Sequence, residues 1–128
     1  MTKRLSVEAD VVCRGRVPHN QVAAFYQHAA LMVMPSLHET FGLPVLEAMA
    51  LGCPVVTSNL SSMPEIGGDA VELVDPYSVD SIAEGMRRVL RDADLRQEMI
   101  ERGRRRAADF TREMMVARLL SVIEQVGQ

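Results

Sequence analysis

Apolar positions along this chain follow two periods, and the changes from one to the other mark out its elements. ADVVCRGRV (9–17) is a short strand-like run that breaks at Gly15, and NQVAAFYQHAA (20–30) carries Val22, Phe25, Tyr26 and Ala29 at helical spacing. ALMVMPS (30–36) is a continuous apolar run of strand length, stopped by Pro35. LPVLEAMALG (43–52) begins with Pro44 in its first turn and closes on Gly52, the punctuation of a helix. CPVVTS (53–58) is a third strand, and SSMPEIGG (61–68) is turn material with at most one helical turn. AVELV (70–74) is a fourth strand, closed by Asp75-Pro76.

Beyond that point the period is helical. SVDSIAEGMRRVLRD (78–92) places Ile82, Ala83, Met86, Val89 and Leu90 on one face; DLRQEMIERGRRRAADF (94–110) and REMMVARLLSVIEQV (112–126) follow. Ser78 and Thr111 stand where N-caps belong. Short apolar strands separated by helices predict a parallel sheet covered on both faces. The expected fold class is α/β: a Rossmann-like partial domain with a small parallel sheet of about four strands, flanked by helices and continued by a C-terminal helical extension. Four strands are few for such a fold, so half of a nucleotide-binding domain is the expectation. Ligands of parallel sheets bind beyond the carboxyl ends of the strands.

Composition narrows the function classes. At 128 residues the chain predicts one domain, and 48% apolar residues with charge spread throughout describe a globular protein. A net charge of −3 supplies no field that would draw nucleic acid, and with no Trp and few other aromatics no base-stacking platform is expected. Cys13 and Cys53 lie in apolar runs without a CxxC pair, which predicts two buried, reduced thiols. His19, His28 and His38 lack zinc-ligand spacing, so no metal site is expected. No apolar run reaches membrane-span length and the N-terminus has no secretory h-region, so the expected location is cytoplasmic.

The candidate chemistry lies in LHETFGLPVLEAMALGCPVV (37–56), where Glu39 and Glu47 flank a Phe-Gly-Leu-Pro turn. Pro44 suits a first helical turn and pushes Leu43 towards extended backbone, while Gly42 lets the chain turn sharply and a ligand come close. The first amides of the helix have no internal partners and carry partial positive charge, which suits a phosphate or a row of sugar hydroxyls. A carboxylate accepts two hydroxyl hydrogen bonds at once, matching a vicinal diol. On the residues alone a plainer reading stays open: Glu39 as an exposed loop acid and Glu47 as a partner of the helix dipole.

PSLHETFGLPVLEAMALGCPVV resembles the signature of retaining glycosyltransferases of family 4, which have the GT-B fold and two glutamates spaced E-x7-E around an F-G-L-P turn. The segments GRVPHNQVAAFYQHAALMVMPS before it and SSMPEIGGDAVELVDPYSVDSIAEGMRRVLRD after it are similar to the family as well, so that the likeness covers residues 10–127. It implies residues 10–128 as a partial C-terminal, nucleotide-sugar-binding domain and leaves residues 1–9 unassigned. By this resemblance Glu39 is the acid beside the donor sugar, implicated in binding and catalysis. Phe41, Gly42 and Leu43 form the turn whose amides meet the donor, and Glu47 holds the ribose hydroxyls. Gly15, Arg16 and Val17 match a loop near the nucleotide base.

The family implies transfer of a sugar from a UDP-, GDP- or ADP-linked donor to an acceptor, with retention at the anomeric carbon, and no metal or other cofactor. The family's N-terminal acceptor domain has no counterpart here. Nor has the Arg/Lys segment that grips the diphosphate; Arg14 and Arg16 are not at its positions. The isolated chain is therefore expected to be inactive. A reading from another class remains: a non-catalytic nucleotide-sugar-binding or protein-interaction module. GT-B phosphorylases and synthases share the fold, and are set aside on the form of the turn.

Other features carry less. His38, beside Glu39, is a candidate ligand contact or a solvent-facing loop residue. Ser36 is expected to brace the loop, Ser61 and Ser62 to lie near the donor cleft, and Glu65 to support the fold. Met32, Met34 and Met49 read as core filler. Arg87, Arg88, Arg91, Arg102, Arg104, Arg105 and Arg106 are interleaved with acids, which favours a solvated helix face over an anionic membrane surface. The last helix has Met115, Val116, Leu119, Leu120 and Ile123 along one side; it is expected to pack locally or pair with another chain, making self-association a candidate.

Overall fold

The computed structural model describes residues 7–126. Its elements are α1 (His19–His28), β1 (Met32–Met34), α2 (Leu43–Ala50), β2 (Val55–Ser58), α3 (Met63–Gly67), β3 (Glu72–Val74), α4 (Val79–Arg91), α5 (Ala93–Ala108) and α6 (Arg112–Val126), with 3-10 turns at Glu8–Asp10 and Gly68–Ala70. The strands form a parallel sheet in the order β1-β2-β3, with Met32 opposite Val55 and Val56 opposite Glu72.

The sheet has three strands among the described residues, not four. The run at 9–17 is a 3-10 turn followed by irregular backbone, with Val11 and Val12 exposed. Apolar character is not enough for a strand: its amides and carbonyls need a neighbour to pair with, and β1 pairs only with β2. The same correction applies to Cys13, which is exposed, whereas Cys53 is buried as expected.

The two-sided burial follows from the pleat. In β2, Val55 faces a cluster with Val45, Ala48, Met49, Cys53, Met63 and Ile66, while Val56 faces Val74, Val89 and Met99 on the other side. In β1, Met32 and Met34 join the first cluster and Val33 the second. The α2 and α5 helices approach closely where α5 has no side chain: a Cβ at Gly103 would lie 3.2 Å from Met49 Cβ.

The helix ends are chemically specified. Ser78 Oγ accepts from Ser81 N at 3.1 Å and Thr111 Oγ1 from Met114 N at 3.2 Å, the two expected caps. Asp92 Oδ1, a third cap, accepts from Leu95 N at 2.8 Å. α2 ends in a Schellman motif: Cys53 N donates to Ala48 O at 2.9 Å, Gly52 N to Met49 O at 3.1 Å, and Gly52 has φ +78°.

Two further expectations change. Leu43 is the first residue of α2 rather than extended backbone. The apolar stripe of α6 does not pack locally: Met115, Val116, Leu119, Leu120 and Ile123 are all half-exposed or more. Among the described residues, no helix is long and apolar enough to cross a membrane.

Candidate functional site

Two loops meet at the carboxyl ends of β1 and β2, and buried hydroxyls at the end of β2 set their starting points. Thr57 Oγ1 donates to Met34 O at 2.9 Å, and Ser36 N donates to the same carbonyl at 3.0 Å, which fixes the exit from β1. Ser58 Oγ accepts from Leu60 N at 3.0 Å at the exit from β2. Both hydroxyl side chains are fully buried and bonded, so neither carries the penalty of a buried, unpaired polar group.

The β2 loop then grips the β1 loop at Glu39. Ser61 Oγ accepts from Glu39 N at 3.2 Å and donates to Glu39 O at 2.6 Å, while Ser62 Oγ donates to Glu39 O at 2.9 Å. These bonds use the backbone of Glu39 and leave its carboxylate for other partners. Ser61 holds φ +59°, a left-handed conformation that is uncommon for a residue with a Cβ and that the two bonds to Glu39 help to hold.

Gly42 follows at φ +92° and caps α2 from the left-handed region. Its φ favours glycine, and a Cβ there would also overlap Met63 Cε, so that this side chain would have to move. Its carbonyl accepts from Val45 N at 3.0 Å and from Leu46 N at 3.4 Å. Pro44 has no N–H. Among the described residues, the amides of Gly42 and Leu43 therefore remain without an acceptor at the positive end of α2.

Glu47 lies one turn further on. Leu43, Glu47 and Leu51 share one face of the helix at i, i+4, i+8 spacing, and Glu47 and Leu51 line a cavity of about 130 Å³ against α1 with His19, Val22, Ala23 and Tyr26. Burial raises the Tyr26 hydroxyl pKa, with further contributions from the Glu47 and Cys53 charges. Two groupings result: Glu39, Gly42 and the free amides on one turn, and Glu47 in the crevice beside α1.

The remaining candidates are less closely tied. Phe41 is half-buried, its ring edge-to-face with Phe110 at 6.1 Å between centroids. Gly15, Arg16 and Val17 belong to the segment entering α1, two residues before His19 lines the Glu47 cavity; no hydrogen bond among the described residues ties them to Glu39 or Glu47. His38 is exposed beside Glu39. Ser61 and Ser62 were expected near the cleft, but their hold on Glu39 was not legible, nor were Thr57 and Phe110 as supports. The Ser-Ser pair before Pro64 is the only local signal, and it says nothing of a partner 22 residues away. Among the described residues, no three His, Cys, Asp or Glu side chains gather as a metal site would require.

Known proteins resemble this chain. Residues 1–106 match the family of glycosyl transferases group 1. The chain is 42% identical over 99 residues to O-antigen chain mannosyltransferase B of Escherichia coli, covering 77% of this chain and 26% of the relative. It is 34% identical over 109 residues to the MMP alpha-(1->4)-mannosyltransferase of Mycolicibacterium hassiacum, again covering 26% of that protein. The chain thus spans about a quarter of the length of these curated relatives.

Among solved structures, sucrose-phosphate synthase from Thermosynechococcus elongatus superposes with a TM-score of 0.87 at 27% identity, covering 98% of this chain and 32% of the other. The C-terminal domain of a glycosyl transferase group 1 family protein from Francisella tularensis gives 0.74 at 29% identity, covering 84% of this chain and 56% of that one. A protein named as a synthase thus shares this architecture. The parallel sheet, the glutamate-bearing turn at its carboxyl end and the match over residues 1–106 lead to one assignment: the chain belongs to the glycosyl transferases group 1 family, with the GT-B type of fold.

Proposed function

We propose that this chain supplies the donor-binding part of a retaining glycosyltransferase, which moves a sugar from a nucleotide-sugar to an acceptor held by a further, N-terminal domain. The observation that carries the proposal is the turn at 39–43: a carboxylate and two unpaired amides stand together at the carboxyl end of a parallel sheet, held by Ser61 and Ser62. Glu39 accepts hydrogen bonds from the donor's hydroxyls beside the anomeric carbon. The amides of Gly42 and Leu43, at the positive end of α2, meet the hydroxyls and the diphosphate, whose charge grows as the C1–O bond breaks. Glu47 takes the two ribose hydroxyls as a bidentate acceptor, with the base towards Gly15, Arg16 and Val17. His38 is a further contact at the sugar end.

The mechanism needs no metal: helix amides, and basic side chains of the rest of the enzyme, balance the leaving group. The sugar is a hexose, and the names of the mannosyltransferase relatives favour mannose. The chain alone turns over no donor, since the acceptor side of the cleft lies elsewhere. The test compares the affinity of a nucleoside diphosphate with that of its hexose conjugate, in the native chain and in Glu39→Gln. A conjugate that binds more tightly than the nucleotide, with the difference lost in Glu39→Gln, supports the assignment of Glu39 to the sugar. Equal losses for both ligands contradict it.

A further inference from the structure

We propose that Phe110, held in place by Arg106, is a positioning residue for the Phe41–Gly42 turn. Arg106 lies in the last turn of α5 and Phe110 two residues past its end, both more than sixty positions from the turn in sequence. Arg106 bridges α5 and α3. Its Nε donates to Ile66 O at 3.2 Å and one terminal nitrogen donates to Glu65 O at 2.5 Å. The other terminal nitrogen is 3.6 Å from Asp109 Oδ2. The guanidinium thus binds carbonyls of α3 while its flat face covers Phe110, with Cζ 4.9 Å from the ring centroid. A fork of charge-assisted bonds fixes the plane of the cation, and the cation fixes the ring beneath it.

Phe110 passes that orientation to the site. Its ring meets Phe41 edge-to-face, at an interplanar angle of 78°. Phe41 immediately precedes Gly42, whose left-handed backbone aims the free amides of the turn. The contacts close on themselves: α3, which Arg106 grips at Glu65 and Ile66, begins at Met63, which packs on Gly42, and is preceded by Ser62, which bonds Glu39 O. The turn is therefore enclosed by a ring of contacts running Ser62–Met63, α3, Arg106, Phe110, Phe41 and back to Gly42. Serine hydroxyls hold one side of it and the aromatic pair the other. A glycine hinge held on one side only would be free to re-aim its amides, and ligand contacts made by fixed amides depend on that aim.

The consequence for affinity rests on the donor-binding reading; the consequence for the turn does not. The experiment pairs calorimetric titration of the full chain with UDP, GDP and ADP and amide NMR of the ligand-free protein, for Phe110→Leu, Phe110→Tyr and Arg106→Lys. An edge-to-face pair has a strength that corresponds to roughly a three- to tenfold change in affinity, so Phe110→Leu should weaken the bound nucleotide by about that factor. Phe110→Tyr keeps the ring and should restore it. In the ligand-free protein, the Thr40, Phe41 and Gly42 amide signals should move in Phe110→Leu and Arg106→Lys, while those of β2 stay in place. Loss of the Phe110 ring current moves neighbouring signals by itself, so Arg106→Lys, which keeps both rings, decides: a lower melting temperature without movement of those amides in Arg106→Lys overturns the proposal. So does unchanged affinity in Phe110→Leu. If the native chain binds none of the three nucleotides, the donor reading fails and the amide shifts alone decide the positioning role. Should Phe110→Leu not fold, Arg106→Lys, which keeps the charge and loses the fork, takes its place in both arms.

Discussion

At the residue scale, Gly42 is the position where backbone geometry and packing coincide. Gly42→Ala places a Cβ on a residue at φ +92° and against Met63 Cε. It should destabilise the chain by about 1–3 kcal/mol, the cost of a strained left-handed residue, as read by urea denaturation; an unchanged midpoint would show that the turn can relax. The thiols give a second check. Cys13 is exposed and Cys53 buried, with burial raising the Cys53 pKa above its ordinary value of 9.0. A thiol reagent should modify one cysteine of the folded chain rapidly and the second only on unfolding. Because the folded pKa of Cys53 is raised, its contribution to stability is complete below the unfolded value and is lost as pH rises through the folded one. The turn at Gly42 and the helix start behind it were legible in the sequence, because Phe-Gly-Leu-Pro is written in consecutive residues. The left-handed Ser61 was not: its conformation goes with bonds to a loop 22 positions away.

At the scale of elements, local chemistry predicts ends better than partners. The caps at Ser78 and Thr111 were legible because a cap acts within three residues of itself; Ser78→Ala should cost about 1 kcal/mol. The run at 9–17 was read as a strand, since an apolar stretch does not reveal whether a neighbour lies alongside. Arg106 was read as part of a solvated basic face. For Arg87 and Arg102 that reading holds, with partners Glu84 and Glu98 both at 2.8 Å on their own helices. Arg106 instead turns inward to α3 carbonyls, a distinction that only the packing of α5 decides. The same packing places Gly103 against Met49. Gly103→Leu should destabilise by about 1–3 kcal/mol through overpacking, despite leucine's better helix propensity. A gain in stability would mean that α2 and α5 are less closely apposed than the 3.2 Å approach implies.

At the scale of the molecule, three parallel strands and their helices carry Glu39 and Glu47, and the apolar stripe of α6 is open. Leu119, 60% exposed, should accept Leu119→Glu with a change in stability within about 0.5 kcal/mol; a large loss would show α6 packed on the domain. The overall α/β architecture was legible because alternating strand and helix periods admit few topologies. Sheet size was not, because strands pair through backbone groups whose partners the side-chain pattern does not name. On the proposed function, the glutamate-bearing turn and α2 form a preassembled half-site for a nucleotide-sugar. Its most direct test is a calorimetric titration of the chain with UDP, GDP and ADP, alongside Glu47→Ala. One nucleotide should bind, and the substitution should abolish binding. If none binds up to millimolar concentration, or if Glu47→Ala binds as the native chain does, the half-site claim is contradicted.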